Sequence, residues 1–220
     1  MTTDPPTAVR IASDMGRIEV FAAAGSPFRV EGRAVVTTDG GLTTVRGSGR
    51  LAVFVDAGTD LTIGTSVGRI VVKGPVGHVA ASTDTGRIQI EQAASVDIRC
   101  ATGRVEVGEV TGTCRVRSNS GRVEVGSCCD ADIAGHSGRI EVRAVNGRVE
   151  AHSVSGRIEV EMAAANDVVA ETVSGRIDVS LPAGTVAHQP VDGASDGRPP
   201  ECDCTVVARS TNGKVVVTAR

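Results

Sequence analysis

The 220-residue chain contains no tryptophan, no tyrosine and only three phenylalanines. Single-stranded nucleic acids and sugar rings commonly rest on aromatic faces, so this absence argues against both kinds of ligand. The core must instead be built from Val, Ile, Leu and Ala. A dominant charge is also missing: 23 Lys and Arg stand against 26 Asp and Glu, a formal net charge of −3 with both signs interspersed. No field is left to draw in DNA, RNA or an anionic membrane surface. No window approaches the roughly 18 apolar residues of a membrane span. The opening MTTDPPTAVRIASDMGRIEV lacks the basic start, apolar run and small-residue cleavage site of an export signal. These absences predict a cytoplasmic chain with no nucleic-acid partner and no direct membrane insertion.

Other absences bear on chemistry. Gly-Gly-x-Gly-x-Asp units, which bind calcium in some solenoids, do not occur. Long loops that would build an acid-lined carbohydrate groove are absent apart from one stretch, 181–203. That stretch holds Cys202 and Cys204, a lone Cys-x-Cys. With His188 as the nearest further donor it falls short of the four ligands of a tetrahedral metal site, so these two are weak metal candidates and no cofactor is expected. The four histidines, His78, His136, His152 and His188, share no fixed offset from a carboxylate. Six cysteines in a chain this well supplied with core residues read as reduced thiols rather than as disulfide staples. Nothing here marks an enzyme.

What is present is a period. Glycines followed by Arg or Lys recur at Gly16, Gly32, Gly49, Gly68, Gly86, Gly103, Gly121, Gly138, Gly156, Gly175 and Gly213, with steps of 17 to 19 residues from Gly49 to Gly175. Half-period echoes stand at Gly77, Gly112 and Gly147. Two and four residues after each glycine lie apolar positions, as in Ile140 and Val142 or Ile158 and Val160. Seven and five residues before it lies a second alternating pair, as in Val149 and Ala151. Alternation of period two marks a strand with one buried face. A short strand pair cannot bury its stripe alone, but stacked copies can, each strand pairing with its counterpart one coil along. The expected fold is therefore all-β: a parallel β-solenoid (β-helix) with about 18 residues and two short strands per coil, about eleven coils in all. The glycine is expected at the corner between the two strands, where a positive φ suits it.

Residues 1–8 read as an N-terminal tail and 9–220 as one solenoid domain, with an irregular cap-like segment at 21–44 and a Pro/Gly-rich insertion at 181–203. The outward positions form two columns. One carries Arg87, Arg104, Arg122, Arg139, Arg157 and Arg176; the other carries Glu106, Glu124, Glu141 and Glu159. Each Arg lies diagonal to carboxylates of its own and neighbouring strands. Two roles fit: an ion-pair network that solubilises the face and opposes register slips, or an interaction ladder for an ordered partner.

The repeated (Ser/Thr/Asn)-Gly-Arg-(Ile/Val)-Glu-Val units, as in VSGRIEVEM and VSGRIDVSLPAG, resemble the bacterial β-strand-repeat family of unknown function called "putative adhesin" or toastrack. Its Leu-Pro-x-Gly turn is matched by Leu181, Pro182, Ala183 and Gly184, whereas Arg stands where the family commonly has an acidic residue. The resemblance covers the chain from about Val9 onward. It implies a non-enzymatic stacked-strand binding and assembly module, linked to envelope-stress signalling, with no catalytic residues to carry over. A protein partner or self-association is the expected mode of action. The alternatives are a filament stacking through solenoid ends and a surface adhesin.

Overall fold

Alternation of period two becomes strand along nearly all of the chain. The computed structural model describes residues 6–188 and 202–219, so most of the Pro/Gly-rich insertion lies outside the described residues. The strands are β1 (Ala8–Ala23), β2 (Arg29–Asp39), β3 (Leu42–Asp56), β4 (Asp60–Val110), β5 (Thr113–Ser127), β6 (Asp130–Val145), β7 (Val149–Met162), β8 (Val168–Leu181), β9 (Ala187–His188) and β10 (Cys204–Ala219). No helix occurs among the described residues, so none is long and apolar enough to cross a membrane. The chain is all-β and its pairing is mostly parallel. It divides into two compact units, Met1–Thr111 and Gly112–Arg220.

In the second unit β5, β6, β7 and β8 follow one another in sequence order, and β10 joins β8. Register is set glycine on glycine: Gly121 pairs with Gly138, Gly138 with Gly156, Gly156 with Gly175 and Gly175 with Gly213. The inward columns Val123, Ile140, Ile158, Ile177 and Val125, Val142, Val160, Val179 are all buried, as are Cys114, Ala131, Val149 and Val168 on the other side of the glycine. Val215 is an exception at 37% exposure. It lies on β10, whose outer neighbour β9 pairs only with Cys204 and Thr205, so the apolar column runs out uncovered.

From β5 to β8 each turn of the chain is a single bent strand rather than the two short strands expected, and β4 runs unbroken through the turns at Gly68, Gly86 and Gly103. Hydrogen-bonded pairing continues through the glycine because its backbone, at φ 127° for Gly138 and 146° for Gly156, bends the strand without leaving the ladder. Buried positions stand three residues before the glycine and two after it, an odd interval. An unbent strand would turn one of the two sets outward, and the bend keeps both inside. The glycine is required for a second reason. A Cβ on Gly156 would fall far inside van der Waals contact with the carbonyl oxygen of Gly138, and Gly138 and Gly175 meet the same obstacle one strand back.

The three-before position explains a residue type that periodicity alone leaves open. Ser13, Thr65, Thr83, Ser153 and Thr172 are buried, and each hydroxyl donates to the carbonyl two residues on, at 3.1 to 3.5 Å. The half-period glycines have their own cause. Asp60 Oδ1 accepts the amide of His78 at 2.7 Å, and Asp130 Oδ1 accepts that of Arg148 at 2.9 Å. A Cβ on the preceding Gly77 or Gly147 would displace those carboxylates.

The first unit departs from sequence order. β1 lies between β3 and β4, so Gly16 pairs with both Gly49 and Gly68, and β2 runs antiparallel to β3. β2 falls within 21–44, the segment expected to be irregular and cap-like, and Gly32, counted among about eleven coils, lies on an antiparallel strand rather than in a parallel coil. Gly40 and Gly41, both at positive φ (53° and 86°), form a two-residue hairpin loop between Asp39 and Leu42. Such a loop reverses the chain and lays β3 against the free flank of β1. All three phenylalanines lie in this unit. Phe21 stacks on Phe54 with centroids 5.1 Å apart, and Arg29 covers Phe54 at 4.3 Å.

Gly156→Ala is expected to cost about 2 to 4 kcal/mol, combining left-handed strain with overpacking against a backbone carbonyl. Gly64→Ala, whose added Cβ would have only Ser82 Oγ nearby at 3.5 Å, is expected to stay within about 0.5 kcal/mol. Denaturant midpoints at constant m-value measure both; equal effects would contradict the stacking argument.

Candidate functional site

The outward face after each glycine carries the arginine and acid columns. In the second unit the register aligns Arg122, Arg139, Arg157, Arg176 and Lys214, and beside them Glu124, Glu141, Glu159, Asp178 and Val216. Side chains two apart on a strand share a face, and Arg is long enough to fold back on its own acid. Arg104–Glu106 (2.5 Å), Arg122–Glu124 (3.3 Å), Arg139–Glu141 (3.7 Å), Arg157–Glu159 (3.4 Å) and Arg176–Asp178 (2.6 Å) pair in this way. A diagonal bond from Arg139 to Glu159 at 2.6 Å ties one strand to the next. That carboxylate raises the affinity of Arg139 for its proton, and Glu141 does the same for Arg143, to which it is hydrogen-bonded. Of the predicted ladder residues, Arg87 makes no ion pair among the described residues. Across the first unit the acid column is sparse, since Ala52 and Val71 stand at positions equivalent to Glu19.

Glu19 therefore serves two arginines. Its side chain is 6% exposed and accepts from Arg17 at 2.7 Å and from Arg50 at 2.9 Å. Burial pushes the Glu19 carboxyl up, but the bond from Arg50 and the charges of Arg17 and Arg50 outweigh it and leave the group below its ordinary value. A second cluster stands before the glycine. Arg117 grips Asp132 with two bonds of 2.8 and 2.7 Å, and Arg115 adds a third at 3.1 Å. The hydrogen bond from Arg117 is the main cause that holds the Asp132 carboxyl below its usual range. The second cluster was not prominent in the sequence, because Arg115, Arg117 and Asp132 fall outside the Gly-Arg-x-acid unit, whereas Arg17 and Glu19 belong to one.

Towards β10 the face opens into a groove of about 360 Å³, where Arg143, Glu161, Arg176, Asp178, Ser180 and Thr218 meet. Here Val216 takes the place of the acid, and Lys214 has no ion pair among the described residues. Cys204 is buried and Cys202 partly exposed, while Asp203 between them accepts the Val186 amide at 2.9 Å. No group of three or more His, Cys, Asp or Glu is placed to hold a metal ion among the described residues. His188, expected in a loop, pairs with Thr205 through β9; His152 faces Glu171 at 3.4 Å, and His78 bonds Ser95 at 2.8 Å. Burial raises the Cys128 thiol to about 12 and pushes Cys114 higher still, so both stay protonated core groups.

A repetitive, mostly parallel all-β module with a paired-charge face is what fold and site together define. The chain belongs to the Toastrack DUF4097 family, whose model matches residues 35–195. No curated protein matches the chain. Among solved structures it is similar to a "putative cell adhesion protein" from Clostridium sporogenes ATCC 15579, with 9% identity over 99% of this chain and 95% of that one and a TM-score of 0.29. It is similar also to a "putative adhesin" from Bacteroides fragilis NCTC 9343, with 12% identity over 96% of this chain and 91% of that one and a TM-score of 0.29. Similarity at that level does not inform the function of this chain.

Acid should weaken both clusters. A carboxyl whose folded pKa is depressed contributes stability above its unfolded pKa and loses it as pH falls through the folded value. For Glu19 and Asp132 the full contribution is expected above their ordinary values of 4.5 and 3.8 and is lost progressively below. Glu19→Gln and Asp132→Asn should each cost about 1 kcal/mol at pH 7, given the solvent around the arginines. Each should also flatten the acid limb of stability against pH. Wild-type slopes retained in both variants would contradict this.

Proposed function

We propose that the chain is a non-enzymatic binding module that presents the arginine–acid face of the unit Gly112–Arg220 to a protein partner. The observation that carries this reading is the unbroken register of Arg122, Arg139, Arg157, Arg176 and Lys214, which repeats one pattern of donors and acceptors strand after strand. Most of those arginines are neutralised within the face, so an approaching protein meets little net charge there. At the β10 end of the face the acid column stops, since Val216 stands where the other strands carry an acid, and Lys214 is left with no ion pair among the described residues. That is where the face departs from self-neutrality and where a partner's carboxylates would gain most.

In this reading the fold is a β-solenoid of about 18 residues per coil, the Gly-Arg unit being its repeat. The chain works in the cytoplasm, as its thiol-rich core suggests. The envelope-stress setting rests on the family resemblance. The surface is tested by a photo-crosslinking residue at Ser180, with Ser82 as an outward control in the other unit. A discrete protein adduct is expected at Ser180 alone, lost on combining Arg176→Glu with Lys214→Glu, while the denaturation midpoint moves by less than about 0.5 kcal/mol. Absence of any adduct, or one indifferent to the charge reversal, would contradict the proposal.

A further inference from the structure

The first unit ends in an edge strand with unusual properties. β2 closes the strand order on one side, and among the described residues no strand pairs with its outer edge. Natural edges are blunted by charge, proline or a bulge. β2 has its bulge at Glu31 to Arg33, but the five residues that follow, Ala34-Val35-Val36-Thr37-Thr38, carry no charge and no proline. Val35 is 68% exposed and Val36 43%.

The two faces of this segment differ. Val36 pairs with the buried Val45, and Thr38 with the buried Thr43, whose hydroxyl it meets at 3.1 Å. Val36 and Thr38 line a groove of about 780 Å³ together with Phe28, Pro27 and Pro6. Arg33, Val35, Thr37 and Asp39 alternate with them and lie on the opposite, outer face. Arg33 and Asp39 are exposed, and neither makes an ion pair among the described residues.

We infer that β2 is the self-association edge of this protein, pairing antiparallel with β2 of a second copy about a two-fold axis at Val36. Antiparallel pairing of a strand with itself is isologous, so each contact occurs twice. Centred on Val36, the register sets Val35 against Thr37 of the second copy, Ala34 against Thr38, and Arg33 against Asp39. Two unpaired charges of opposite sign, three residues on either side of the axis, thus become two cross-strand ion pairs. A shift by one residue would join the inner face of one copy to the outer face of the other. A shift of the sum by two would leave Arg33 facing Thr37 or Gly41. Only the register at Val36 both matches the charges and brings the two grooves to one side, where the second Val36 adds apolar cover. A two-fold pair of this kind closes on itself, and is distinct from the partner face of the other unit.

Sedimentation velocity of the full chain over a wide range of concentration tests the inference. A monomer–dimer equilibrium is expected. Arg33→Asp and Asp39→Arg should each weaken the dimer by at least about tenfold, because each places like charges opposite one another twice, and the double exchange should restore it. Thermal unfolding of each variant checks its fold. Val36→Cys in a Cys129→Ser background supplies a readout that needs no charge reversal: mild oxidation should link two copies through position 36, and Val35→Cys in the same background should not. A monomer at every concentration, an open-ended polymer, a dimer indifferent to the single exchanges, a double exchange that fails to restore it, or equal crosslinking at 35 and 36 would each overturn the inference.

Discussion

Everything regular in this protein depends on the approach of one glycine to another. Gly138 lies on Gly121, Gly156 on Gly138 and Gly175 on Gly156, each so close that the position of a Cβ is occupied by the preceding carbonyl oxygen. Elsewhere in proteins a glycine at positive φ is a local convenience that Asn or Asp can sometimes replace. In this column the demand comes from the neighbouring strand as well, so the requirement propagates from turn to turn. A register slip of one residue would put the Cβ of an arginine or hydroxyl residue into that space, and the stack refuses it. The glycine thus does by steric exclusion what alternation alone does weakly in a sheet whose strands resemble one another.

The remaining polar chemistry is arranged around that rung. Buried hydroxyls three residues earlier satisfy the carbonyl of the bend, and aspartates at the half-period satisfy the amide of the next turn. Both answer the rule that buried backbone groups need partners wherever a ladder is bent. The arginine and acid columns are a consequence of the same register. Once glycines align, Arg must fall beside Arg and Glu beside Glu, and each strand offsets the like-charge contact by folding its own arginine onto its own acid. Where an acid is missing, as beside Ala52, Glu19 takes two arginines and becomes the most buried charged group of the face.

The repeat was legible because its causes are local and periodic: a glycine, an alternation and a step of 17 to 19 residues. The inward columns from Leu61 to Val179 follow from it directly. Strand order in the first unit was not legible. Nothing in the residues around Gly16 says whether its neighbour is Gly49 or Gly68, or that it lies between the two, since both carry the same motif. One signal was available, the Asp39-Gly40-Gly41 loop between two β-branched runs, which marks a hairpin and hence an antiparallel β2. The Arg115–Arg117–Asp132 cluster escaped because it depends on which strands become neighbours. The same limits apply to function: a period encodes the scaffold, and the residues that break it, Lys214 with Val216 and the strand β2, are where the two proposals lie.

Hydrogen exchange read by mass spectrometry on short peptides measures the central claim most directly. If the glycine rung pins one continuous strand per turn, the segments 137–141, 155–159 and 174–178 should exchange as slowly as the buried Ile and Val positions within them, opening only when the unit unfolds. Fast exchange confined to the glycines, with protection kept on either side, would mean that each turn is two strands hinged at a loose corner and would contradict the account.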